Sequence, residues 1–258
     1  MIVNKIEVVN DVITKKKLDG ALKLVVDEGT EFMAVNQLKM TVVKSTTLKI
    51  IYHGTKSSKL NIIIDVEPNQ TLRLEEIHIH DKMKIQYQYR IHENAKVRVN
   101  RMAKCQQGRK WDIAYLNGSK AQFSLCESAI AYDGQFNHVL VYHNASDTKS
   151  FFCFRGCTLD KGNIKLAMSG IVEDQMKRCK LEQDAEIVST NQQLSDIQTN
   201  YVTEEEKNVK VSSHTALNQT KLQESEIRQF LMGNIKFTKQ YQQLIEQELE
   251  ELEVSYES

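Results

Sequence analysis

The sequence predicts a mainly β protein: a right-handed β-helix or β-solenoid core, residues 1–220, with a short C-terminal helical segment, residues 221–258. Three observations predict it. Apolar residues alternate with polar ones over most of the chain, the pattern of strands with one buried face. Turn phrases introduce the alternating runs and recur about every 25 residues, the mark of a stacked repeat in which each rung buries its inner face against its neighbours. Helical spacing is not sustained before about residue 220, and then it is clear.

Taken in order, the opening Met1–Asn10 interrupts its apolar residues with charge and offers no cleavage site, so it reads as a strand and not a signal peptide. Asn61-Ile-Ile-Ile-Asp-Val66, Thr71-Leu-Arg-Leu-Glu-Glu-Ile-His-Ile-His80 and Lys96-Val-Arg-Val-Asn100 are strand patterns. Each run follows a turn phrase built on Asn, Asp or Gly, which tolerate a left-handed backbone. The phrases begin Asp27-Glu-Gly, Glu67-Pro-Asn, Glu93-Asn-Ala, Asn117-Gly-Ser and Gln183-Asp-Ala, and Asn69, Asn94 and Gly118 are read as equivalent corners. A β-sandwich of regular hairpins is the competing arrangement. After Thr220, Gln223–Met232 reads as a helix with Ile227, Phe230 and Leu231 on one stripe, stopped by Gly233-Asn234. A second helix is expected from Lys236 to about Glu253, with Tyr241, Leu244 and Ile245 on its stripe.

Composition narrows the function classes. Lys+Arg and Asp+Glu both number 34, a balance that argues against global attraction to nucleic acid or to a membrane surface. No apolar run is long enough to span a bilayer. Five Cys in no paired framework suit a reducing, cytoplasmic setting. There is no Walker A, GxGxxG or GxSxG sequence, so no nucleotide is expected on this chain and no catalytic set stands out. His78 and His80, in phase with Glu76, are read as a solvent-facing strand pair rather than a metal site. Cys153 and Cys157, four apart, are read as buried structural thiols. The basic run from Asn94 to Trp111, with Lys96, Arg98, Arg101, Lys104, Arg109 and Lys110, is read as a solvated face. A β-solenoid enzyme acting on carbohydrate through paired carboxylates stays open, though no motif selects a pair and aromatic residues are few.

Two stretches stand out from the repeat. The first is Phe136-Asn-His-Val-Leu-Val-Tyr-His143, then Asn144-Ala-Ser-Asp-Thr-Lys-Ser150, then Phe154-Arg-Gly-Cys-Thr-Leu-Asp-Lys-Gly-Asn-Ile-Lys-Leu-Ala-Met-Ser-Gly-Ile171. The second is Gln183-Asp-Ala-Glu-Ile-Val-Ser189, then Val209-Lys-Val-Ser-Ser-His-Thr-Ala216, then the helices from Gln223. The resemblance of these stretches, in order over roughly residues 130 to 250, is to the core of the SufB/SufD family, the β-helical scaffold subunits of iron–sulfur cluster assembly. It implies a non-enzymatic scaffold on which a cluster is held transiently, paired with itself or with a second SufB/SufD-like subunit. It also implies a separate SufC-like ABC-type ATPase, docked through Ile227, Phe230, Leu231, Tyr241, Leu244 and Ile245.

By the same resemblance His214 is a candidate metal ligand near the assembly interface, and Cys179 and Cys126 are candidate cluster or sulfur-handling thiols. Two positions depart from the family pattern: Ser212 stands where a Cys is frequent and Thr215 where a Glu is frequent. A structural SufD-like role without cluster ligands is the alternative that these departures suggest. The strands also begin within the first thirty residues, where family members carry a helical domain, which points to a shortened scaffold.

Overall fold

In the computed structural model the chain winds into a β-solenoid of about six turns. The structure describes residues 4–10, 12–28, 35–55, 58–189, 195–202, 209–220, 224–233, 243 and 246. The elements in chain order are β1 (Asn4–Val9), β2 (Val12–Lys17), β3 (Leu22–Glu28), β4 (Val35–Val42), β5 (Thr46–Gly54), β6 (Ser58–Val66), β7 (Thr71–Ile91) and β8 (Lys96–Leu116). They continue with β9 (Gln122–Ala131), β10 (Gly134–His143), β11 (Lys149–Thr158), β12 (Asn163–Val172), β13 (Lys180–Ser189), β14 (Asp196–Val202), β15 (Lys210–Gln219) and α1 (Glu224–Met232).

Two parallel sheets face each other. The front sheet stacks β1, β5, the first half of β7, the first half of β8, β9, β11, β13 and β15. The back sheet stacks β4, β6, the second halves of β7 and β8, β10, β12 and β14. β7 and β8 each run through a corner and so belong to both. At the N-terminal end β2 and β3 fold back as antiparallel strands on β1 and β4.

Alternation places one residue in two inside. Leu48, Leu72, Val97, Phe123, Ile62, Ile85 and Val141 belong to a single core shared by both sheets. The corners hold the register. Asn69, Asn94, Lys120 and Asp147 each have positive φ, and each donates its backbone N–H to the corner of the next rung. Asn94 Nδ2 also donates to Asn69 Oδ1 at 2.8 Å, and Asn144 Nδ2 to Asn117 Oδ1 at 2.9 Å. The corner equivalent to Asn94 is therefore Lys120, not Gly118. Gly118 has an ordinary φ and is needed for a different reason, because a Cβ there would stand 2.1 Å from the backbone N of Glu93.

Three further expectations are corrected. Gln183-Asp184 is not a turn but lies within β13. His78, His80 and Glu76 do not face solvent; all three point into the core and are buried. Arg101 and Lys110, placed with the solvated basic run, are buried too. Their charges meet acids from neighbouring rungs. Arg101 Nε donates to Glu76 Oε2 at 2.7 Å, and its Nη1 donates to Asp112 Oδ2 at 2.8 Å and Glu127 Oε2 at 3.1 Å. Lys110 donates to Glu127. Tyr87 and Tyr89 donate their hydroxyls to Glu76 and Asp112. Burial works against the Glu76 carboxylate, but the Arg101 charge together with His78 and the Tyr87 hydroxyl outweighs it and lowers its pKa to about 2.

The expected helix before Gly233 is α1, which lies on the outer face of the front sheet beside β9 and β11. The helix expected over 236–253 falls outside the described residues, apart from helical Gln243 and Glu246. No described helix is long and apolar enough to cross a membrane.

Candidate functional site

In parallel stacking, residues one rung apart share a column, and odd or even position decides whether the column points in or out. One outward column of the front sheet collects chemistry. Cys126 of β9 pairs in register with Cys153 of β11, Cys153 with Asp184 of β13, and Asp184 with His214 of β15. The structure thus brings together two of the predicted site residues, Cys126 and His214, at the ends of a four-residue column.

The two thiols are hydrogen-bonded neighbours. That bond, with help from the Arg155 charge, lowers the Cys153 pKa below the usual thiol range, and the same bond together with burial raises that of Cys126. All five cysteines are free thiols. Arg155, in the adjoining column, donates from Nη2 to Asp184 Oδ2 at 2.7 Å, and its Nε lies 3.9 Å from Glu186 Oε2. His214 Nδ1 lies 3.2 Å from Asp184 Oδ1, with its ring largely exposed. Partial burial works against the Asp184 carboxylate, but Arg155 and His214 outweigh it and hold its pKa low. The result is a sulfur pair followed by a carboxylate that orients an imidazole two rungs from the nearer thiol, with a guanidinium that favours negative charge on the sulfur.

Cys179 is elsewhere. It is buried at the corner before β13, where its sulfur accepts from Thr148 Oγ1 at 3.3 Å. From Asp184 it is five residues along the chain, about 16 Å of extended strand. Cys105 and Cys157 are buried, and burial pushes both thiols up to about 12. Cys153, Asp184 and Arg155 were not among the sequence-selected residues. The repeat did not reveal them, because Cys126, Cys153, Asp184 and His214 are 27, 31 and 30 residues apart, longer than the period of about 25 read from the turns.

The column spans three rung steps of about 4.8 Å, too long for one ion to reach both ends. Accordingly, among the described residues no group of three or more His, Cys, Asp or Glu side chains is arranged to hold a metal ion. The thiol pair fits soft-metal or sulfur chemistry as a partial donor set, two soft donors with an imidazole two rungs away.

The helical stripe has a definite place. Leu231 is fully buried in a cluster with Ile51, Ile77, Met102, Ile130 and Cys157, and Ile227 and Phe230 pack against it. Ser128 Oγ donates to the Leu231 carbonyl. In this arrangement the described part of the stripe covers the chain's own front sheet. Tyr241, Leu244 and Ile245 lie outside the described residues. Neither a protein-family model nor a curated protein matches the chain.

Proposed function

We propose that the chain is a non-enzymatic scaffold subunit for iron–sulfur cluster assembly, working with a separate SufC-like ATPase in the cytoplasm. The observation that carries this reading is the outward column in which Cys126 and Cys153 stack directly, with Asp184 and His214 on the next two rungs. Thiolates are the soft donors that hold iron and sulfur, and a lowered Cys153 pKa favours the thiolate form. The cluster is cargo on this reading, held at the outer side of the front sheet, where Cys126 is half-buried and Cys153 buried, and then released. A donor set left partial in one chain is completed when a second copy or a related subunit brings its own donors. The sequence likeness to SufB/SufD chains, including the His214 segment, supports the same assignment. Cys153, stacked on Cys126, joins it as a sulfur-handling thiol, and the ATPase-docking role on this reading rests on Tyr241, Leu244 and Ile245.

Anaerobic reconstitution of the full chain with ferrous iron and sulfide tests this. The parent protein and Cys179→Ser are expected to develop cluster absorbance, and Cys126→Ser/Cys153→Ser to lose most of it. A double variant that binds iron and sulfide like the parent sinks the reading.

A further inference from the structure

The outer face of the back sheet, opposite the thiol column, carries an unrelated feature. Lys59 of β6, Lys84 of β7, Arg109 of β8, Phe136 of β10 and Lys165 of β12 form one column in register. Its four cations are exposed, with Lys82 beside them at the corner. None of these five cations has an acid partner among the described residues. The acids nearest in sequence and register are Asp81 and Asp133 at the corners and Asp196, which follows Lys165 in the column. Asp196 accepts a hydrogen bond from Gln198, and none of the three lines the trough described next.

Two cavities of about 460 and 340 Å³ share Lys84 and form a trough along this face. The larger is lined by Lys82, Lys84, Arg109, Phe136 and Lys165, the smaller by Lys59, Lys84 and Trp111. Trp111 and Phe136 are half-buried neighbours with ring centroids 6.2 Å apart. Gln135 borders the larger cavity but faces inward from β10, 2% exposed, with its Nε2 donating to Asn137 Oδ1 at 3.3 Å.

We propose that this trough binds single-stranded nucleic acid. Like charges one rung apart repel, and a polyanion laid along the column removes that repulsion. The column spans four rung steps, about 19 Å, which suits a chain of phosphates better than a single one. Aromatic rings set beside a cationic track are the platform on which unpaired bases stack, whereas a duplex keeps its base faces hidden. Stacking on these rings also separates a nucleic acid from inorganic polyphosphate, which carries no bases. The rings lie within the trough instead of projecting from it, which argues against insertion into a lipid surface. The zero net charge of the whole chain conceals this local excess.

Trp111 is the only tryptophan, so its fluorescence reports on this face directly. Titration of the full chain with a twelve-nucleotide oligothymidylate at low salt is expected to give saturable quenching. The logarithm of the binding constant should fall with that of salt at a slope of roughly −3, for about four neutralised phosphates. Lys84→Glu and Arg109→Glu should each weaken binding at least tenfold with unchanged melting temperature, because both side chains are exposed. Trp111→Ala, followed by anisotropy of a labelled oligonucleotide, should weaken binding about tenfold, and Trp111→Phe much less. Absence of saturable quenching, or charge-reversal variants that bind like the parent, overturns the proposal. So does equal or tighter binding of thymidine monophosphate, inorganic polyphosphate or phosphatidylserine vesicles. Cluster assembly on the front sheet is untouched by any of these results.

Discussion

His143 is buried with both ring nitrogens satisfied, Nδ1 with Thr148 Oγ1 at 2.7 Å and Nε2 with Ser150 Oγ at 3.0 Å. Burial lowers its pKa to about 4, and burial beside His78 lowers that of His80 to about 2. An unfolded histidine takes up its proton near 6.5, so below that pH the unfolded chain binds protons that the folded chain refuses. The stabilising contribution of each neutral ring is complete above about pH 6.5. It is lost as pH falls, down to about 4 for His143 and about 2 for His80, at up to about 1.4 kcal/mol per pH unit for each ring. Glu76, held at about 2, adds to the loss below its ordinary range. Urea midpoints measured from pH 7.5 to 4.5 should therefore fall steadily. His143→Gln should flatten that slope by about one proton, and an unchanged slope would show that His143 is not the titrating group. The same residues show what a sequence leaves open. Period-two alternation sorts Glu76, His78 and Arg101 onto a common kind of face, but it does not say which face is inside. That choice was made by Asp112 and Glu127, which stand opposite Arg101 only after the chain has turned.

At the scale of elements, α1 shows the same divide. Ile227, Phe230 and Leu231 are legible as an apolar stripe because helical spacing is local. What the stripe covers is not local: it packs on an outward column of Ile51, Ile77 and Met102 contributed by three successive rungs. A solenoid ordinarily exposes such outward positions, and the run of large apolar residues there was the available signal of a covering helix. Leu231→Ala is expected to cost about 2 to 5 kcal/mol where its cavity cannot collapse. It should also raise hydrogen exchange across 224–233 while leaving the core strands of β7 and β8 protected. Parent-like exchange in α1 would remove Leu231 as its anchor.

For the whole molecule the two ends of the solenoid are unlike. The N-terminal end closes with antiparallel β2 and β3, and β2 presents Lys15, Lys16 and Lys17 to solvent, charges that discourage another strand from pairing there. The other end finishes on β14 and β15, where Tyr201, Val202 and Leu217 are 59%, 63% and 52% exposed. Leu217 follows the inward-facing Ile187 in register, and no further rung among the described residues covers it. A second copy stacked on this end would bury that surface, consistent with the paired scaffold proposed above. Sedimentation at tens of micromolar is expected to show a dimer, and Tyr201→Lys/Leu217→Lys a monomer with unchanged strand content. A monomeric parent protein would exclude the pairing.

The β-solenoid itself was determined by the sequence, because alternation and a repeat of about 25 residues are properties of neighbouring residues along the chain. Corner chemistry was partly legible as well: Asn69 and Asn94 were found by residue type, but Lys120 occupies a left-handed corner that its type does not announce. Only the tertiary structure decided which alternate residues lie inside, that Cys126 faces Cys153, and that scattered lysines align into one cationic trough. The physical reason is common to all three. Each depends on residues a full rung apart, and rung length drifts from 25 residues between Thr71 and Lys96 to 31 between Lys149 and Lys180. A drift of one residue reverses inside and outside, so register is settled by packing and charge pairing between rungs and not by spacing alone.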